Sequence, residues 1–182
     1  MPGTVTFKGS PLTLVGRAIK VGEPAPGFKV TSQDLKDVSL SAFKGKIKII
    51  SSFPSLDTPV CDLQVKEFNK RASGLSQDIV VIGISKDLPF AQKRFCSENA
   101  IKNETVLSDY KTASFGINYG LLIEELQLLA RSVHIIDKND IIRYSQIAAD
   151  ITNSLDFDAV LKALEEVIKN PAAKSVNTKK GA

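Results

Sequence analysis

Residues 46–64 read KIKIISSFPSLDTPVCDLQ, and the change of pattern inside this stretch decides the fold. The apolar run through KIKIISSF predicts a strand, which ends at a turn carrying Pro54 and Pro59. Beyond it Cys61, Val65, Phe68, Ala72 and Leu75 recur at alternating steps of four and three, the apolar stripe of a helix. The chain has only two cysteines, so one of them stands at a helix start directly after a strand.

Outward from this unit, Ile79–Ser85 (IVVIGIS) is an apolar run bounded by polar residues and fits a buried parallel strand. LPFAQKRFCSEN, from Leu88, predicts a second helix, followed by a long irregular stretch. SVHIID and IIRYSQI flank DKND as an antiparallel hairpin. Asn153 or Ser154 caps a last helix bearing Phe157, Val160, Leu161, Leu164, Val167 and Ile168, which stops at Asn170-Pro171. Upstream, Val5 and Phe7 alternate with polar neighbours, and Gly9-Ser10-Pro11 turns the chain into Leu12-Thr13-Leu14, an N-terminal β-hairpin. Two weaker strands follow at 28–31 and 38–40. A βαβ unit joined to a ββα unit gives an α/β chain of thioredoxin-like fold, a mixed central sheet flanked by helices with the hairpin as an extension. One domain is expected over 1–170, with 171–182 as a flexible tail.

Composition narrows the function classes. A chain of 182 residues can bury roughly 70% of its unfolded surface, enough for one core. The formal charge of +4 owes much to Lys174, Lys179 and Lys180, which sit in a tail without acids. No basic stripe is interleaved with aromatics, so no nucleic-acid partner is expected. No apolar run approaches the roughly 18 residues of a membrane span, and MPGTVTFKGSPLTLVG lacks the pattern of a secretory leader. A cytoplasmic protein with no membrane partner is expected. Two cysteines cannot form a disulfide scaffold at this size, and in a reducing compartment such a pair is more often catalytic or redox-sensing. With His134 the only histidine, the usual ligand set for structural zinc is missing, and no metal is expected.

Thiolates attack, whereas thiols barely do. A cysteine with an ordinary pKa near 8.5 is only about 3% ionised at pH 7, and a helix N-terminus favours the ionised form. Alone, Cys61 could equally be a buried member of the apolar stripe. Pro54, Thr58 and Cys61 together form P-x-x-x-T-x-x-C directly after a strand. A proline there can shield the sulfur from bulk water, and a threonine hydroxyl can both donate and accept beside it.

In this spacing the sequence resembles the peroxiredoxins. Residues 85–96, SKDLPFAQKRFC, resemble the signature of one subgroup, the bacterial thiol peroxidases of atypical two-cysteine type, and Ser55, Asp57 and Gln64 around Cys61 fit it too. The resemblance extends from the N-terminal hairpin to the last helix. It implies that Cys61 is the peroxidatic cysteine and that Cys96 is the resolving one. Thr58 would orient the peroxide, Pro54 would enclose the site, and Arg131 would favour the thiolate and the charge developing on the breaking O–O bond. The implied function is reduction of hydrogen peroxide and of alkyl or lipid hydroperoxides, through a sulfenic acid and a Cys61–Cys96 disulfide. Thioredoxin is the implied reductant, with no bound cofactor, and a homodimer the implied assembly. Leu121, Leu122 and Ile123 lie where relatives shape a substrate pocket, and both that reading and ordinary core stay open. His134 reads as a satisfied core or surface histidine. The alternative function, dithiol–disulfide exchange on protein partners, lacks the C-x-x-C that usually serves it.

A Cys61–Cys96 bond closes a loop of about 35 residues, worth roughly 3–4 kcal/mol of unfolded-state entropy in the simplest treatment. With both cysteines on helices, the bond forms only when their Cα atoms come within about 7 Å, so helix is expected to be lost around 61 and 96 on oxidation.

Overall fold

The computed structural model describes residues 3–171; the expected tail lies, apart from its first residue, outside them. Two strands, β1 (Thr4–Phe7) and β2 (Ser10–Val15), form the N-terminal hairpin. Then come β3 (Lys29–Thr31), β4 (Asp37–Ser39), β5 (Ile47–Ser52), α1 (Pro59–Ala72), β6 (Ile79–Ser85) and α2 (Pro89–Glu98). The chain continues with β7 (Thr105–Ser108), α3 (Ser114–Asn118), β8 (Leu122–Ile123), β9 (Ser132–Ile136), β10 (Ile142–Ile147) and α4 (Phe157–Lys169). Seven strands form one sheet in the order β10-β9-β5-β6-β7-β3-β4. β5, β6 and β7 run parallel; β9 is antiparallel to β5, and β3 to β7. The mixed sheet with flanking helices is the expected thioredoxin-like architecture.

All six residues of β5 are buried, because it lies inside the sheet with both faces covered. Ile47 and Ile49 pack with Val81, Val133 and Ile135 against Phe68 of α1 and Val160 and Leu164 of α4. On the other face Ile50 and Ile82 join Val5, Leu14, Phe115 and Tyr119. Helices therefore cover both faces, but unequally: α1, α2 and α4 lie on one, short α3 and the hairpin on the other. The two crossovers from β5 to β6 and from β6 to β7 advance in the same direction, and right-handed connections then place α1 and α2 on the same side.

Two expectations need correction. The stretch after α2 is not irregular, since it holds β7, α3 and β8. These elements have four, five and two residues, too few to display a period. The cap of α4 is neither Asn153 nor Ser154 but Asp156, whose carboxylate accepts from Ala159 N at 2.9 Å. Leu155 is buried just before the helix, and this sets the entry point two or three residues later than polarity alone indicated.

The hairpin is tied to the loop after β10. Asp150 accepts from Thr6 Oγ1 at 2.7 Å and Gly9 N at 3.1 Å, and Ile151 N donates to Thr6 O at 2.9 Å. This fixes the Ile151 carbonyl, which the site below uses.

His134 faces the hairpin side, fully buried, with Nε2 3.0 Å from Ser132 Oγ and Nδ1 3.1 Å from Ser145 Oγ. It is a satisfied core histidine, and burial pulls its pKa from 6.5 to about 3. A group depressed in the folded state contributes stability above its unfolded pKa and loses it as pH falls towards the folded value. The melting temperature should therefore drop as pH is lowered from about 6.5 to about 4, and His134→Gln should drop less steeply across the same window. Parallel curves for the two proteins would show that His134 does not contribute.

Candidate active site

The turn between β5 and α1 is shaped before any chemistry is considered. Thr58 caps α1 in an extended conformation (φ −112°, ψ 142°), and Pro59 follows at the first helical position, where its missing N–H costs nothing. Asp87, beyond the end of β6, braces the turn: its carboxylate accepts from Ser55 Oγ at 2.7 Å, Leu56 N at 2.9 Å and Ser85 Oγ at 2.6 Å. Pro54 is buried on this turn. Thr58 is half-buried, and its hydroxyl donates to Ser55 O at 3.0 Å, which leaves oxygen lone pairs as acceptors.

Cys61 follows in the first turn of α1, fully buried. Arg131, just before β9, is 2% exposed and reaches the sulfur with Nη2 at 3.1 Å. The same guanidinium donates through Nη1 to Gln64 Oε1 at 2.7 Å, and to Ile151 O through Nε at 3.1 Å and Nη2 at 2.8 Å. Gln64 in turn donates to Ser52 O on β5 at 3.2 Å. The Arg131 side chain is thus held from two sides, by α1 and by the hairpin-braced Ile151. Among the described residues no Asp or Glu pairs with it. A buried cation without a counter-charge is costly. Apart from the neutral oxygens of Gln64 and Ile151, the partner in its shell is the sulfur of Cys61.

Cys96, on α2, lives differently. Gln33 Nε2 lies 3.3 Å from its sulfur, and burial pushes its pKa up; Gln33 opposes this, and the charge of Glu104 adds to it. Cys96 is therefore a neutral thiol at neutral pH. Both cysteines are free, both helices run intact through them, and the two share one apolar cluster with Phe53, Leu56, Val65 and Val106.

The sequence-predicted Pro54, Thr58, Cys61, Arg131 and Cys96 thus gather at one end of α1 and the facing flank of α2. Leu121, Leu122 and Ile123 do not join them: at 0, 5 and 0% exposure they belong to the core cluster of the hairpin side. Ordinary core is the reading that this enclosure supports. Sequence reasoning missed the bracing by Asp87, although the residue lay within the signature stretch, and the clamping of Arg131 by Gln64. The part of Ile151 had no signal, because it acts through a backbone carbonyl. Among the described residues no group of three His, Cys, Asp or Glu side chains is placed to hold a metal ion. No helix there is long and apolar enough to cross a membrane.

Comparison with known proteins agrees with this geometry. The family model described as Redoxin matches residues 20–164. The thiol peroxidase of Staphylococcus saprophyticus is 48% identical over 163 residues, which cover 90% of this chain and 98% of the relative. That of Bacillus subtilis is 45% identical over 165 residues, 91% of this chain and 98% of its own. A crystal structure of a peroxiredoxin-like protein from Aquifex aeolicus superposes with a TM-score of 0.85 at 41% identity, covering 90% of this chain and 96% of that one. The chain belongs to the redoxin family and, within it, to the thiol peroxidases, peroxiredoxins that reduce peroxides with electrons from thiols.

Proposed function

We propose that Cys61 is the peroxidatic cysteine and Cys96 the resolving cysteine of an enzyme that reduces hydrogen peroxide and organic hydroperoxides. The contact of Arg131 Nη2 with Cys61 Sγ, in a shell without a competing carboxylate, is the observation that carries this reading. The Cys61 thiolate attacks the terminal oxygen of the peroxide. The O–O bond breaks, sulfur becomes a sulfenic acid, and the departing alkoxide or hydroxide takes a proton to leave as alcohol or water. Arg131 offers fixed positive charge to the sulfur before attack and to the departing oxygen during it. Thr58 presents an acceptor to the peroxide O–H, and Pro54 keeps bulk water from the sulfur.

Cys96 then attacks the sulfenic sulfur through its own, the S–O bond breaks, and the thiol proton leaves with hydroxide as water. Because each cysteine sits in an intact helix, local unwinding of α1, α2 or both accompanies the bond. Thioredoxin reduces the disulfide by exchange, the protein acts as a homodimer in the cytoplasm, and residues 1–170 form the one catalytic domain. Dithiol exchange on protein partners is the weaker reading, since the two cysteines stand on different helices rather than at one helix start.

Reduced protein mixed with one equivalent of hydrogen peroxide or cumene hydroperoxide should lose both thiols and about two daltons of mass. Cys96→Ser should stop at a sulfenic acid on Cys61, and Cys61→Ser should be inert at low dose. Equal peroxide consumption by the two variants would overturn the assignment. Arg131→Lys, which keeps the charge but loses the planar fork, should slow Cys61 oxidation by about 100-fold. A rate within about twofold of the parent would remove Arg131 from the mechanism. Circular dichroism should show less helix in the oxidised than in the reduced form; identical spectra with the disulfide confirmed by mass would contradict local unwinding.

A further inference from the structure

Glu104 closes the turn between α2 and β7, and nothing in the cycle above uses it. It is 6% exposed, and both carboxyl oxygens are buried without a hydrogen-bond partner. Its room exists because residue 83 is a glycine: a Cβ there would stand 2.5 Å from Glu104 Oε1 and 3.3 Å from Phe53 Cε1. Phe53 belongs to the apolar cluster that holds both cysteines. The groups facing the carboxyl are few. β5 offers the Ser51 hydroxyl, itself left without a hydrogen bond of good geometry; β6 offers Gly83; α2 offers the Cys96 thiol; and α1 brings Cys61 into the adjoining cluster. Among the described residues no lysine or arginine pairs with it.

The turn leading to Glu104 is also a latch. Asn69, on the same helix as Cys61, accepts from Lys102 N at 2.9 Å and Asn103 N at 2.8 Å, and Ile101 N donates to Cys96 O at 3.0 Å. The turn that follows Cys96 is therefore tied at once to the Cys61 helix and to the carboxyl that it seals.

We propose that Glu104 is a positioning residue for the disulfide-forming half of the cycle: sealed and unpartnered beside Phe53, it sets how readily the segment carrying Cys96 releases. This rests on the cysteine cycle proposed above. Burial holds the Glu104 carboxyl in its acid form well above the ordinary carboxylate range, and the Ser51 hydroxyl offsets this only in part. In the opened segment water solvates the carboxylate and the proton is lost. A group raised in the closed state favours closure below its ordinary pKa and progressively less as pH rises towards the raised value. Release of one proton makes opening about tenfold more favourable per pH unit in that window. Cys96, also raised, adds a proton of its own only in the alkaline range.

The test is hydrogen–deuterium exchange of residues 97–104 in the reduced protein, without peroxide, between about pH 5 and pH 7.5, corrected for intrinsic exchange chemistry. The parent should open more as pH rises, by at most about tenfold per pH unit, and Glu104→Gln, which does not titrate, should show a flat profile. Glu104→Val, which suits the apolar site, should raise protection at every pH. It should also slow disulfide formation after peroxide by about tenfold while Cys61 oxidation keeps its rate. A Glu104→Gln profile as steep as the parent's, or exchange that follows global unfolding in all three proteins, would overturn the proposal. Because the exchange arm uses no peroxide, a parent that fails to react at Cys61 would refute the cycle and not the latch.

Discussion

Everything at this site follows from one arginine buried with no acid beside it among the described residues. Arg131 is 2% exposed, its guanidinium is held by Gln64 and the Ile151 carbonyl, and the remaining direction ends on the sulfur of Cys61. Neutral oxygens satisfy its hydrogen-bond geometry but not its charge. The sulfur at the start of α1 is the group able to balance it, and the dipole of the helix pulls in the same direction. The distant parts of the fold serve this contact. The hairpin secures Ile151 through Thr6 and Asp150, β9 delivers Arg131 beside β5, and Gln64 ties the helix to both.

The same logic separates the two cysteines. Both are buried in one apolar cluster, yet Cys61 has a cation and Cys96 has an amide donor together with a nearby carboxyl. In the cycle we propose, the first is the attacking sulfur and the second resolves it. Both sulfurs are free and each stands in an intact helix. Glu104 leaves both carboxyl oxygens buried without a hydrogen-bond partner at the turn that follows Cys96.

Much of this was legible in the chain. The steps of four and three from Cys61 to Ala72, the apolar run of β6 and the hairpin around DKND are long enough to carry a period, and each appears where the pattern placed it; Leu75, the last step of the stripe, falls just beyond the end of α1. The elements from β7 to β8 are too short for one, and their positions are fixed by packing against Ile50, Ile82 and the hairpin rather than by their own composition. At the site, side chains of distinctive chemistry were readable: Cys61, Cys96, Thr58, Pro54 and Arg131. The supports were not. Asp87 and Asn69 act by capping backbone groups of segments remote in sequence, and Ile151 contributes only a carbonyl that any residue would carry. Leu121, Leu122 and Ile123 illustrate the converse, since an apolar run fits a pocket wall as well as a core, and only enclosure separates the two.

The central claim concerns charge, and the ultraviolet absorbance of the thiolate reads it directly in reduced Cys96→Ser, where Cys61 is the only cysteine left. The account predicts a full thiolate signal in neutral buffer that disappears on replacing Arg131 with methionine. A Cys61 that stays protonated at neutral pH with Arg131 in place would contradict it.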